Sequence, residues 1–165
     1  HNNDTHSESN YSEIDVHLII QQSIDFVELA DKYTSIQIIN NNTLHNKITC
    51  DSQKLTQVFI NLLNNAKDAS LDGQNILIDT QVNEFSVIID ITDYGQGIKP
   101  EHLEQVFDPF FTTKSVGSGT GLGLSLAYGI IEEHSGQLSV HSPVLCDTNT
   151  NKDIGTRFTI SLPLA

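Results

Sequence analysis

Asp93-Tyr94-Gly95-Gln96-Gly97, then Asp108-Pro109-Phe110-Phe111-Thr112-Thr113-Lys114, then Gly119-Thr120-Gly121-Leu122-Gly123-Leu124 follow one another inside residues 93–124. An acid comes first, then an aromatic pair with a threonine and lysine hook, then a second glycine cluster. That order suits a nucleotide pocket with a flexible cover. Asp93 closes a run containing Ile88, Ile89 and Ile91, which predicts a buried strand ending in a carboxylate. Such a carboxylate either caps the strand end or takes a ligand. If the ligand is adenine, an ionised Asp can accept a hydrogen bond from the exocyclic amine. Gly95 and Gly97 let backbone approach a flat ring and permit positive φ. Taken alone, Asp-x-Gly-x-Gly also occurs in many ordinary turns.

The later cluster, with Gly117, Gly119, Gly121 and Gly123, leads into a predicted helix from Thr120 to Glu133. Unpaired N–H groups at a helix start favour phosphate, because dipole and donors both attract anions. The spacing is not Gly-x-x-x-x-Gly-Lys-[Ser/Thr], so it is not a P-loop. Leu124 stands where a dinucleotide fingerprint needs its third glycine. Lys114 is one of only eight basic residues, placed to reach a terminal phosphate as a point charge. Phe110 and Phe111 beside it read equally well as plain core packing.

Outward from this stretch, the most informative segment is residues 51–71. Asp51-Ser52 predicts an N-cap and Asp72-Gly73 a stop. At about 100° per residue, Leu55, Val58, Leu62, Ala66 and Ala69 fall on one apolar stripe. Asn61, Asn65 and Asp68 fall together at its edge, three and four residues apart, so their side chains can converge. Carboxamide and carboxylate oxygens are hard donors of the kind magnesium takes, with phosphates and waters completing the octahedron. The bland alternative is a solvated polar edge, although Asn is a poor helix former.

The remaining elements fill in an α+β domain. Residues 1–13 read as a disordered lead-in or linker, and 14–165 as one domain. Apolar residues spaced helically predict a helix over Ile14–Leu29. Strands are predicted at Ile36–Ile39, Lys47–Cys50, Ile76–Val82, Phe85–Thr92, Leu138–His141 and Thr156–Leu162, with a short helix at Pro100–Val106. Residues 142–155 form a polar connection, long for a hairpin turn. Strands interrupted by a few helices, without strict βαβ alternation, point to a mixed sheet with helices on one face.

Composition narrows the partners. With 165 residues and 38% hydrophobic content the chain can build one aliphatic core. Its net charge of −13 repels nucleic-acid backbones and anionic lipid, so neither is expected as a partner. A nucleotide is still compatible, since local donors and a cation can reverse the field in one pocket. Cys50 and Cys146 are far apart and lack metal-ligand spacing, which fits reduced thiols. The abrupt start on His1 reads as a piece of a longer chain.

These pieces, in this order, resemble the catalytic ATP-binding domain of bacterial two-component sensor histidine kinases. That domain shares a superfamily with gyrase, MutL and the ninety-kilodalton heat-shock chaperones. Gln57-Val58-x-x-Asn61-Leu62-x-x-Asn65-Ala66-x-Asp68-Ala69 looks like the family's N box. Asp93-x-Gly95-x-Gly97 looks like the first glycine box, Asp108–Lys114 the F box and Gly119–Leu124 the second glycine box. Gly155-Thr156-x-Phe158 looks like a late glycine-threonine motif.

The resemblance implies a two-layer α/β sandwich, a mixed sheet of about five strands packed against three helices, with residues 95–121 as a flexible ATP lid. It implies ATP and Mg2+ as cofactors, with Asn61 and Asn65 on the metal and Asn61 and Lys114 as catalytic residues. Asp93 would take the adenine amine, supported by Thr156 through water. Asp68, Gly95, Gly97, Ile98, Phe107, Thr112, Thr113, Gly119, Thr120, Gly121, Leu122, Gly123 and Leu124 complete the implied nucleotide site. The implied activity is transfer of the γ-phosphate to a histidine on the kinase's own dimerisation helices, then relay to a response-regulator aspartate. A homodimer is implied for the full-length kinase, with the present stretch able to stand as a monomer. The implied setting is a cytoplasmic domain, whose full-length protein can be anchored in the inner membrane.

Departures from the pattern matter. Tyr94 replaces a common Asn, and residues 142–155 are longer than usual before Thr156. No histidine here has the acid and Pro or Thr context of a phosphoacceptor. His134 reads as a surface residue at a helix end, and His17 as part of an amphipathic helix. The gyrase and chaperone branches usually carry Glu where Asn61 stands, a base that activates water. An amide cannot do this, so hydrolysis by the domain alone is expected to be slow. Two other readings remain open: a protein-serine kinase of anti-sigma or mitochondrial-kinase type, and a module that senses ATP without chemistry.

Overall fold

The computed structural model describes residues 10–112 and 122–165. Strand β1 is Tyr11–Asp15 and helix α1 Val16–Ala30; β2 is Gln37–Asn40 and β3 Lys47–Asp51. Helix α2 is Ser52–Ala69, followed by β4 at Asn75–Val82 and β5 at Ser86–Asp93. Helix α3 is Gly123–Glu133, followed by β6 at Gln137–His141, β7 at Leu145–Asp147, β8 at Lys152–Ile154 and β9 at Thr156–Pro163.

The main sheet has five strands in the order β2-β4-β5-β9-β6. Strands β2 and β4 run parallel, and the other neighbours antiparallel, so the sheet is mixed. All three helices pack as one layer, with α2 between α1 and α3 and lying on β5. This is the α+β two-layer sandwich expected above.

Local chemistry explains the boundaries. The Asp51 carboxylate accepts the Gln53 and Lys54 N–H groups at 3.1 and 3.2 Å, starting α2. Such a cap contributes about 1 kcal/mol. The helix ends where Ser70 Oγ donates back to the Ala66 carbonyl at 2.7 Å and Gly73 turns with φ of 82°. Asp15 caps α1 in the same way, accepting from His17 N–H at 2.8 Å. The buried face of α2 is wider than one stripe: Phe59, Ile60 and Leu63 are buried along with Leu55, Val58, Leu62 and Ala66. That width follows from its central place, with a helix on each side and a sheet beneath. Val87, Ile89, Ile91, Phe158 and Ile160 meet it from β5 and β9.

Four expectations need correction. The ordered chain begins earlier than Ile14: Tyr11 to Glu13 lie in β1, which pairs antiparallel with β3 apart from the main sheet, while residues 1–9 lie outside the described residues. The connection at 142–155 contains the hairpin β7–β8. The short helix at Pro100–Val106 is a 3-10 turn at Pro100–His102, continued by hydrogen-bonded turns through Phe107. His134 is at a helix end as expected, but it is buried: its Nδ1–H donates to the Ile130 carbonyl at 2.7 Å and its Nε2 accepts the Asp51 N–H at 3.1 Å.

Candidate nucleotide site

The final residue of β5, Asp93, faces Thr156, the first residue of β9. Both are buried, with Asp93 only 1% exposed. The Asp93 Oδ1 accepts the Gly95 N–H at 3.0 Å, and its carboxylate also accepts the Thr156 backbone N–H. Burial pushes its pKa up to about 6, and the two N–H groups pull in the opposite direction. A carboxylate held this far from solvent is poised to accept a strong donor.

Past Asp93 the chain turns against the end of α2. A Cβ on Gly95 would stand 1.9 Å from the Ala69 carbonyl oxygen, so no side chain fits there. Gln96 N–H donates to that carbonyl at 3.3 Å, and Gln74 Nε2 donates to the Tyr94 carbonyl at 3.0 Å. Gly97 has φ of 74°, a conformation that favours glycine. Ile98 and Phe107 pack against the core, and the Phe107 ring stacks on Tyr128 with centroids 5.1 Å apart.

Asn61 sits on α2 beside the start of α3. Its Nδ2 donates to the Gly123 carbonyl at 3.2 Å, and its Oδ1 accepts from Gln57 Nε2 at 2.7 Å. Asn65, one turn further on, is half-buried with no side-chain hydrogen bond among the described residues, while Asp68 is exposed. Among the described residues no side chain caps α3, whose N-cap Leu122 offers its carbonyl to Leu126 N–H and Ser125 Oγ. Leu124 packs on the core and Thr112 is exposed. Thr113, Lys114, Gly119, Thr120 and Gly121 lie outside the described residues.

Helix α2 thus joins two groups of expected site residues. Its Ala69 end abuts Gly95, whose N–H bonds Asp93; about 12 Å back along the axis, Asn61 abuts Gly123. The polar edge of α2 carries oxygen donors of the kind a hard cation takes. Among the described residues no cluster of three or more His, Cys, Asp or Glu could hold a metal; α2 itself carries the Asn61 and Asn65 carboxamides and the Asp68 carboxylate.

Sequence reasoning passed over Ser142. Its hydroxyl accepts from Ile98 N–H and donates to the Gly155 carbonyl, joining the turn after Asp93 to the start of β9. The only signal was its place at the head of the long connection, next to Pro143.

A family model described as histidine kinase-, DNA gyrase B-, and HSP90-like ATPase matches residues 50–165. Sporulation kinase E of Bacillus subtilis is 35% identical over 159 residues, covering 93% of this chain and 20% of that protein. Sensor histidine kinase ZraS of Escherichia coli K12 is 36% identical over 155 residues, covering 92% of this chain and 30% of its own length. The chain therefore spans a minor part of the curated relatives it matches. Among solved structures, the mycobacterial sensor histidine kinase MprB superposes with a TM-score of 0.77 at 25% identity, covering 93% of this chain and 97% of that one. A nucleotide-free catalytic domain of histidine kinase ThkA gives 0.74 at 28% identity, covering 93% and 95%. No described helix is long and apolar enough to cross a membrane. With the fold, the ordered motifs and these likenesses in agreement, the chain belongs to the histidine kinase-, DNA gyrase B- and HSP90-like ATPase family, as a catalytic domain of the sensor histidine kinase kind.

Proposed function

We propose that this domain binds Mg-ATP and presents the γ-phosphate to a histidine on the dimerisation helices of its own kinase, for relay to a response-regulator aspartate. The observation that supports this best is the span of α2, which touches the buried Asp93 turn at one end and the start of α3 toward the other. A nucleoside triphosphate has the length and polarity to lie along that edge.

In this reading Asp93 accepts the adenine amine and Thr156 supports the base through water. Gly95, Gly97 and Ile98 form the wall against the ring, and Phe107 backs the cover. Asn61 and Asn65 hold the cation through their carboxamide oxygens, with Asp68 close on the same helix. Thr112, Thr113 and Lys114 reach the phosphates, as do the N–H groups of Gly119 to Leu124. Magnesium, when bound, would neutralise charge on the phosphate oxygens. Phosphoryl transfer asks little covalent work of a protein, so positioning and charge neutralisation carry it. The acceptor imidazole nitrogen attacks the γ-phosphorus in line, the bond to the bridging oxygen breaks, and ADP leaves.

The overall charge of −13 makes local donors decisive. It also disfavours nucleic acid as a partner. The working kinase is a homodimer through its dimerisation helices, and this domain is its cytoplasmic ATP-binding part.

The test is to mix the domain with γ-labelled ATP, magnesium and the dimerisation helices of the same kinase. Label is expected on those helices, lost in acid and stable in base, as phosphohistidine is. Acid-stable label would favour a serine kinase instead. Nucleotide binding with no label on any added protein would favour a sensing module.

A further inference from the structure

Three hydrogen bonds converge on one hydroxyl that no sequence motif claims. Ser142 Oγ accepts the Ile98 N–H at 2.9 Å, donates to the Gly155 carbonyl at 2.7 Å, and receives the Thr156 hydroxyl at 3.5 Å. A serine hydroxyl has one proton and two lone-pair positions, so this set uses its full capacity. Two consequences follow for the residues around Asp93.

The first concerns backbone. Gly155 N–H donates to the Gly95 carbonyl at 2.9 Å, giving a tie between the turn after Asp93 and the residue before Thr156. Ser142 adds a second tie, from Ile98 to Gly155. Gly97 lies between, and a Cβ there would come within 3.1 Å of Ser142 Oγ and 3.3 Å of the Gly155 carbonyl oxygen. The backbone on both sides of the Asp93–Thr156 pair is therefore held by the same hydroxyl. The second concerns Thr156 itself. Its hydroxyl proton points to Ser142, so its lone pairs are what it offers to a bound molecule or water. Asp93 offers lone pairs as well.

We infer that Ser142 is a positioning residue for the base half of the nucleotide site, fixing Asp93 and Thr156 as a paired acceptor edge that selects a purine bearing an exocyclic amine. The inference rests on the ATP-binding reading above. Ser142 acts through Ile98, Gly155 and Thr156 without touching the ligand.

The experiment compares Mg-ATP with the Mg complex of purine riboside triphosphate, which lacks that amine, by titration calorimetry on the whole domain. Wild type is expected to prefer ATP. In Ser142→Ala, affinity for ATP should fall about tenfold, as losing hydrogen bonds around a charged acceptor implies. Affinity for the amine-free nucleotide should change less than about twofold by the same reasoning, so the preference collapses. Equal losses for both nucleotides, or an unchanged preference, would overturn the inference, because a merely structural serine moves both together. If Ser142→Ala does not fold, Ser142→Cys gives the same comparison with a weaker donor. Amide exchange on wild type adds an independent check: an Ile98 N–H exchanging as fast as an unbonded one also overturns it. Asp93→Asn separates the two levels. A wild type that binds neither nucleotide, or binds ATP no better than Asp93→Asn does, refutes the ATP reading itself.

Discussion

Asp93→Asn should make the empty domain more stable and the nucleotide complex weaker. The carboxyl is 1% exposed, and burial raises its pKa to about 6 from an ordinary 3.8. Between those two values the folded chain keeps a proton that the unfolded chain has released. The stability associated with this group is fully present below pH 3.8 and is lost as pH rises through about 6. A gap of roughly two pKa units corresponds to about 3 kcal/mol, an order-of-magnitude ceiling on the cost of holding the ionised form. Asparagine keeps the shape and avoids that cost, although its oxygen is a weaker acceptor for the Gly95 and Thr156 N–H groups. The variant should therefore gain about 1–3 kcal/mol at about pH 7.5, shrinking toward zero near about pH 4. Urea denaturation of both proteins across that range measures it. Mg-ATP affinity should fall at least about tenfold in the variant, since the charged acceptor for the amine is gone. Wild-type affinity should itself weaken below about pH 6 as Asp93 protonates. A variant less stable than wild type at every pH, or a difference that does not vary with pH, would refute the reasoning.

The other predictions are simpler. Gly95→Ala places a Cβ 1.9 Å from the Ala69 carbonyl oxygen, so stability should drop by about 3 kcal/mol and nucleotide binding with it, read by thermal melts with and without Mg-ATP. Asn65→Ala should leave the melting temperature nearly unchanged, within about 0.5 kcal/mol of stability, yet abolish the magnesium dependence of ATP affinity in calorimetry. His134→Ala strands the buried Asp51 N–H at the start of α2 and should cost about 2 kcal/mol in denaturant titration, with Tyr11 losing its ring partner. The isolated domain should release inorganic phosphate from ATP barely above the uncatalysed background, because Asn61 cannot serve as a base.

Much of the fold was legible because its helices and central strands carry strong periodicity. Asp51, the apolar spacing from Leu55 to Ala66, and Gly73 bound α2 unambiguously. The Asn83 turn between β4 and β5 was equally clear, and its side chain does accept the Phe85 and Ser86 N–H groups at 2.9 and 2.8 Å. Strand β1 was hidden because Tyr11-Ser-Glu-Ile-Asp15 turns only Ile14 toward the core and otherwise looks like linker. The hairpin β7–β8 was hidden because strands of three mostly polar residues leave no period to read. His134 looked exposed because a histidine at a helix end usually is; only the fold reveals that β3 ends and α2 begins beside it. For the site, Asp93, Gly95, Asn61 and Gly123 were named from the motifs; the fold sets the Asp93 carboxylate against the Gly95 N–H and the Asn61 side chain against the Gly123 carbonyl. Ser142 was not legible, since Ile98 on one side and Gly155-Thr156 on the other lie far from it in sequence and meet it only in the folded chain.

The most direct test is a single NMR titration of the domain with Mg-ATP, following the side-chain amides of Asn61 and Asn65 together with the backbone amides of Gly95 and Thr156. All four should shift and saturate with one common Kd, and the carboxamide signals should stop responding when magnesium is chelated. Signals that stay fixed at either end of α2, or that titrate with different midpoints, would contradict a triphosphate lying between Asp93 and the start of α3.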